Sequence, residues 1–170
     1  MRKFIRGIDA VSKGAGSCAK YIIIPLFAGI LYDVFVRYVF NAPTIWAYDM
    51  GWMLYGVLAM LGTAYCLQVD GHVRMDLFYG RLSPRGKAIA EMVCYIVIFF
   101  PLAYFLVRYC GDHAISSLIS RECTSASTWR PPVYPWKLVV AFSFLLLALQ
   151  GTAIFIKDVY FVVKRRPYEP

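Results

Sequence analysis

The sequence predicts an all-α integral membrane protein of four transmembrane helices with both termini in the cytoplasm. Three observations carry this: an apolar composition, four apolar runs long enough to span a bilayer, and a one-sided distribution of basic residues. Of 170 residues, 60% are hydrophobic and 16% charged. Soluble domains average about 45–50% apolar and about 25% charged residues. So few polar side chains cannot cover a water-facing surface of this size.

A spanning helix needs about 20 mostly apolar residues to cross about 30 Å of hydrocarbon. Four segments qualify, at about 21–36, 47–67, 88–109 and 135–156. The first reaches full length if Cys18 and Ala19 join it while the Lys20 ammonium snorkels to the headgroups. Asn41-Ala42-Pro43, Asp70-Gly71 and Arg130-Pro131-Pro132 separate the runs as turn signals. The first run lacks the small-residue cleavage site of a signal peptide and reads as a retained helix. Residues 1–20 form a cytoplasmic, interfacial segment: Phe4, Ile5, Ile8 and Val11 recur at helical spacing among basic residues. Residues 111–134 make an outer loop, with room for a short surface helix around Ile115–Ile119, and 157–170 a cytoplasmic tail. The whole chain, 1–170, is one transmembrane domain.

The net charge of +8 is an orientation signal rather than a nucleic-acid footprint. Thirteen of the eighteen basic residues precede the first span, lie between the second and third, or follow the fourth. Arg37, Arg108, Arg121, Arg130 and Lys137 fall on the other side. Positive charge is retained on the cytoplasmic side, so both termini and the 68–87 loop belong there. Trp46, Tyr48, Trp129, Tyr134 and Trp136 collect at the outer helix ends, where amphipathic rings suit the headgroup layer.

Signs of chemistry are few. The five cysteines form no C-x-x-C pair; Cys110 and Cys123 either pair on the outer side or stay as single thiols. His72 and His113 fall at loop positions rather than within spans, which disfavours haem ligation. Phosphate-loop, zinc-protease and nucleophile-elbow motifs are absent, so no catalytic, cofactor-binding or metal site is expected. Asp33 with Arg37, and Arg108 with Asp112, stand four apart on one helix face. Asp49 and Glu91 lie near helix N-termini, where a carboxylate suits the dipole. Gln150, nearly alone as a polar group in the last span, is expected to bond across to another helix. Ala59 with Thr63, and Ala148 with Thr152, are spaced for close helix contact.

The run Leu61-Gly62-Thr63-Ala64-Tyr65-Cys66-Leu67, then Gly71-His72-Val73-Arg74-Met75-Asp76-Leu77-Phe78-Tyr79 and Leu82-Ser83-Pro84-Arg85, is distinctive. It resembles the small, DctQ-like membrane subunit of tripartite ATP-independent periplasmic (TRAP) transporters. Arg37-Tyr38-Val39-Phe40-Asn41-Ala42-Pro43 with Trp46 resembles that family's first outer loop, and Pro135, Lys137 and Leu149-Gln150-Gly151 its last helix. Asp49 departs from the glutamate expected there and keeps the charge with a shorter reach.

The resemblance implies a non-enzymatic subunit in the bacterial inner membrane, without a cofactor. It would brace a large polytopic subunit that moves an organic acid by ion-driven symport, after delivery by a periplasmic solute-binding protein. Arg37, Trp46, Asp49, His72, Arg74, Asp76 and Gln150 are the partner-interface or structural candidates. Two other readings compete: a self-sufficient small exporter with Glu91 or Asp33 as proton carrier, and a quinone-linked redox protein using the outer cysteines.

Overall fold

The computed structural model describes residues 2–69 and 84–164. The described chain is helical: α1 (Arg2–Val39), α2 (Trp46–Gln68), α3 (Pro84–Cys94), a π-helical stretch (Tyr95–Phe99), α4 (Phe100–Ser120) and α5 (Tyr134–Lys164). Four of its helices, counting α3 to α4 as one rod, are long and apolar enough to cross a membrane: Ile5–Val39, Trp46–Gln68, Ile89–Ser120 and Tyr134–Val162.

The rods exceed the stretches expected from hydropathy because nothing breaks them at the apolar boundary. The N-terminal twenty residues are continuous with α1, since the far side of their stripe is packed: Ile5, Ile8, Ser12 and Ala19 are buried. Val11 remains half exposed. Residues 115–119 are the last turns of α4 rather than a separate surface helix. Gly111 does not interrupt them because Arg108 pairs with Asp112 across it and Ala114 and Ser117 are buried just beyond.

Prolines shape two rods. Pro25 lies inside α1, where its missing N–H leaves Tyr21 O without the usual donor. Pro101 follows the π stretch, in which the Phe100 N–H reaches back five residues to Tyr95 O. A ring that cannot continue the ordinary ladder is a common cause of such a local rewinding. α1 ends with the Phe40 and Ala42 N–H groups both on Val36 O, at 3.1 and 3.4 Å, and with Asn41 in the left-handed region that asparagine tolerates.

The rods pack as a row rather than a closed bundle: α1 on α2, α2 on α5, and α5 on the α3–α4 rod. Among the described residues α1 makes no packed interface with α3 or α4 and touches α5 mainly near its own N-terminus. α5 is therefore the centre, with 28% of its apolar window buried against 6%, 11% and 6% for the others. Outward-facing side chains such as Phe27, Leu31, Val97, Ile98 and Phe105 are exposed, as lipid-facing groups are.

Each seam of the row sets a glycine against an aromatic ring. A Cβ on Gly16 of α1 would stand 2.5 Å from Tyr65 Cγ and 2.7 Å from Tyr65 Cβ of α2. One on Gly56 of α2 would lie 2.6 Å from Trp136 Nε1 of α5, and one on Gly151 of α5 would overlap the Phe99 ring. Lipid is as apolar as the helices, so close shape fit, not burial from water, selects which helices meet. The small-residue pairs noted in the sequence do different work: Thr63 and Thr152 donate to their own helix, on Ala59 O and Ala148 O at 2.8 Å each.

Candidate functional site

Polar side chains gather in two layers at opposite ends of the row. From Asp49 to Gln68 along α2, 19 residues rise about 29 Å, and from Lys137 to Lys157 along α5, 20 residues rise about 30 Å. That matches the hydrocarbon thickness. Between these residues α2 and α5 carry no charged side chain. On α1 the corresponding residues, Asp9 and Asp33, are about 36 Å apart along the axis, which a tilted helix accommodates.

In the layer at the N-terminal end, Asp9 is the hub. Its carboxylate accepts from Gln150 Nε2 at 2.9 Å and Lys157 Nζ at 3.1 Å, and its main-chain carbonyl accepts from Gln68 Nε2 at 3.1 Å. Ser12 Oγ donates to Gln150 Oε1 at 2.8 Å. Gln150 is fully buried, and both ends of its amide are used. The expected cross-helix bond of Gln150 is thus made to α1, and the network joins α1, α2 and α5. Ile5 and Ile8 pack against Ala153 and Ile156 beside it.

The opposite layer fixes the loops. Asp33 accepts from the Thr44 N–H at 3.0 Å, from the Thr44 hydroxyl, and from Arg37 Nη2 at 2.5 Å, folding the 40–45 turn back onto α1. Trp46 stacks on Tyr32 with ring centres 5.8 Å apart. Asp49, fully buried in the first turn of α2, accepts from Trp52 Nε1 at 3.2 Å and from the Ser127 hydroxyl of the long loop. Trp52 meets Trp136 edge-on at 5.3 Å.

The loop from 121 to 133 closes on itself through one isolated bridge, Cys123 to Pro132, with Thr124 N–H on Pro131 O at 3.0 Å and Val133 N–H on Glu122 O at 2.9 Å. Lys137 Nζ donates to Glu122 Oε2 at 2.5 Å and stands 3.3 Å from His113 Nε2. The Lys137 ammonium holds the Glu122 carboxyl below its ordinary pKa. A depressed folded-state pKa gives stability present above the ordinary carboxylate range and lost as pH falls through the folded value. Acidification of the detergent-solubilised protein is therefore expected to lower its thermal midpoint through that range. Glu122→Gln should flatten the dependence; an unchanged slope would remove this pair from the account.

Of the candidates read from the sequence, Arg37, Trp46 and Asp49 share one layer and Gln150 belongs to the other. His72, Arg74 and Asp76 lie outside the described residues. Asp9, Ser12, Gln68, Lys157 and Ser127 had not been singled out. One signal was available: Asp9 is the sole acidic residue among the first twenty, set beside Ile5, Ile8 and Ser12 at helical spacing. All five cysteines are free thiols. Among the described residues no group of three or more His, Cys, Asp or Glu stands close enough to hold a metal.

Four helices long and apolar enough to cross a membrane, with the charged groups of α2 and α5 confined to ends one hydrocarbon thickness apart, define a multi-pass helical membrane protein. Residues 26–160 match the family model for the DctQ component of tripartite ATP-independent periplasmic transporters, and the chain belongs to this family. It is 20% identical over 133 residues to the sialic acid TRAP transporter small permease protein SiaQ of Vibrio cholerae, covering 74% of this chain and 71% of that protein.

Proposed function

We propose that this chain is a non-catalytic scaffold that stabilises the large transport subunit of a TRAP system during ion-gradient-driven uptake of an organic acid. It sits in the bacterial inner membrane with both termini cytoplasmic, and a periplasmic solute-binding protein delivers the substrate. The observation that carries this reading is the open row of helices: α1 and the α3–α4 rod, at its two ends, leave most of their apolar side chains exposed rather than packed within the chain. The absence of charged side chains along the middle of α2 and α5 supports bracing over transport, because carriers place ionisable or polar groups and broken helices at the midplane. Family membership and the relative's role as a small permease point the same way. A sialic acid is a carboxylated sugar, so that relative's substrate falls within the organic-acid class, while solute choice rests on the other chains. The His72, Arg74 and Asp76 block is assigned to a polar contact with the large subunit's cytoplasmic edge.

Purification from the native membrane in mild detergent, with mass spectrometry of what accompanies the chain, tests the reading. Stoichiometric recovery of a much larger polytopic protein is expected. Recovery alone or only as a homo-oligomer, or full transport and stability of the large subunit without this chain, would overturn it.

A further inference from the structure

α1 carries a ladder of three cations that no described residue answers. Arg6, Lys13 and Lys20 recur every seven residues, so they follow one face of the helix at steps of about 10 Å. All three are exposed. The acids of α1 are engaged elsewhere, Asp9 by Gln150 and Lys157, and Asp33 by Thr44 and Arg37. Among the described residues no carboxylate pairs with the ladder; Lys20 has the Tyr21 ring, 5.0 Å from its ammonium. We propose that Lys13 and Lys20, with the Ser17 hydroxyl between them, bind the headgroup of an anionic phospholipid, with Arg6 at the mouth of the site. The inference needs only that the helices span a bilayer and is independent of the scaffold reading.

The depth of the ladder carries the argument. Lys20 lies 11 residues, about 16 Å, beyond Asp9 and 13 residues, about 20 Å, short of Asp33, so it stands between the two polar layers. Helical side chains lean towards the N-terminus, which carries its ammonium back towards the Asp9 layer. The four-carbon stem is too short to reach it. From Lys20 to Arg37 the helix rises about 25 Å, less than the hydrocarbon thickness that α5 matches. A short apolar stretch thins the bilayer beside it, and headgroups and water drawn inward relieve the cost of a cation at that depth. Headgroups therefore sit deeper against this face of α1 than against α5. Tyr21, 63% exposed, fits that level, since a phenol suits the headgroup layer. Lys13, Ser17 and Lys20 follow at spacings of four and three, placing two ammoniums and a hydroxyl on one face. Beyond Lys20 the face continues through Ile24, Phe27 and Leu31, each more than half exposed, where acyl chains lie. Donors first and apolar surface beyond them is the layout of a phospholipid standing in its monolayer. A partner helix would have to bring carboxylates of its own into the apolar layer, whereas a phospholipid brings its phosphate from the headgroups.

The test is native mass spectrometry of the full chain, released from micelles holding equal amounts of phosphatidylglycerol and phosphatidylcholine. At about a factor of five per lysine, the wild type is expected to retain phosphatidylglycerol over phosphatidylcholine by about twentyfold. Lys20→Gln should keep about a fifth of that preference, and the Lys13→Gln/Lys20→Gln double variant almost none. These changes remove charge from an exposed position at an apolar level, so insertion and folding are retained. Arg108→Gln, an equal loss of charge at the opposite end of the row, should leave the preference intact. No preference in the wild type would overturn the proposal, as would a double variant that keeps it or an Arg108→Gln variant that loses as much. So would a double variant with unchanged lipid retention that releases a membrane protein accompanying the wild type, since the ladder would then belong to a protein partner.

Discussion

A single methyl group at Gly16 is expected to destabilise the protein by about 2 kcal/mol, as overpacked contacts do. The same methyl at Gly14 is expected to be neutral or to add up to about 1 kcal/mol through helix propensity. Both glycines lie in α1, two residues apart. A Cβ at Gly14 meets nothing within 4 Å, whereas one at Gly16 would fall on Tyr65. The contact is with Tyr65 Cγ and Cβ, the base of the side chain, so a rotamer change cannot relieve it and α1 must move away from α2. Tyr65→Ala in the Gly16→Ala background removes the obstacle and should recover part of the loss. Unfolding of the purified protein in mixed micelles, followed by tryptophan fluorescence, measures all three variants against the wild type. Equal effects of Gly14→Ala and Gly16→Ala would mean that the α1–α2 seam is not packed at this point.

Replacing Asp9 with leucine is expected to cost about 2 kcal/mol, because it leaves two donors at the edge of the apolar layer without their acceptor. Gln150 Nε2 is buried and Lys157 Nζ partly so, with side-chain exposures of 31% for Lys157 and 23% for Asp9. That exposure keeps the figure below the roughly 3–5 kcal/mol seen when one partner of a fully buried ion pair is removed. Lys157→Met alone should cost less, since Asp9 keeps its bond from Gln150. The double variant should be better than the sum of the singles by about 0.5 kcal/mol or more, the coupling of groups in one network. Additive losses would show that Asp9 and Lys157 act independently and that the layer is not one network.

The number of helices, their approximate places and the family were legible in the sequence, because each depends on local quantities. Apolar length against bilayer thickness identifies a span one segment at a time, and the His72-Val73-Arg74-x-Asp76 block with its neighbours needs no fold to be read. Asp33 with Arg37 and Arg108 with Asp112 were legible for the same reason, being one helical turn apart. Gln150 stood out by being polar in an apolar run, but its partners Ser12 and Asp9 lie 138 and 141 residues away. Asp49 read as a dipole partner at a helix start, and only the returning loop reveals it as the anchor of Ser127, 78 residues on.

What the sequence determined by itself, then, was which segments leave water for lipid, a free energy summed over each segment's own side chains. The tertiary structure alone decided the order of the row, the glycine facing an aromatic ring at each of its three seams, and the polar hub at Asp9. Once every helix is in an apolar medium, hydrophobicity no longer distinguishes one neighbour from another. Shape and a few cross-helix hydrogen bonds make that choice, and both are properties of pairs that no single segment contains.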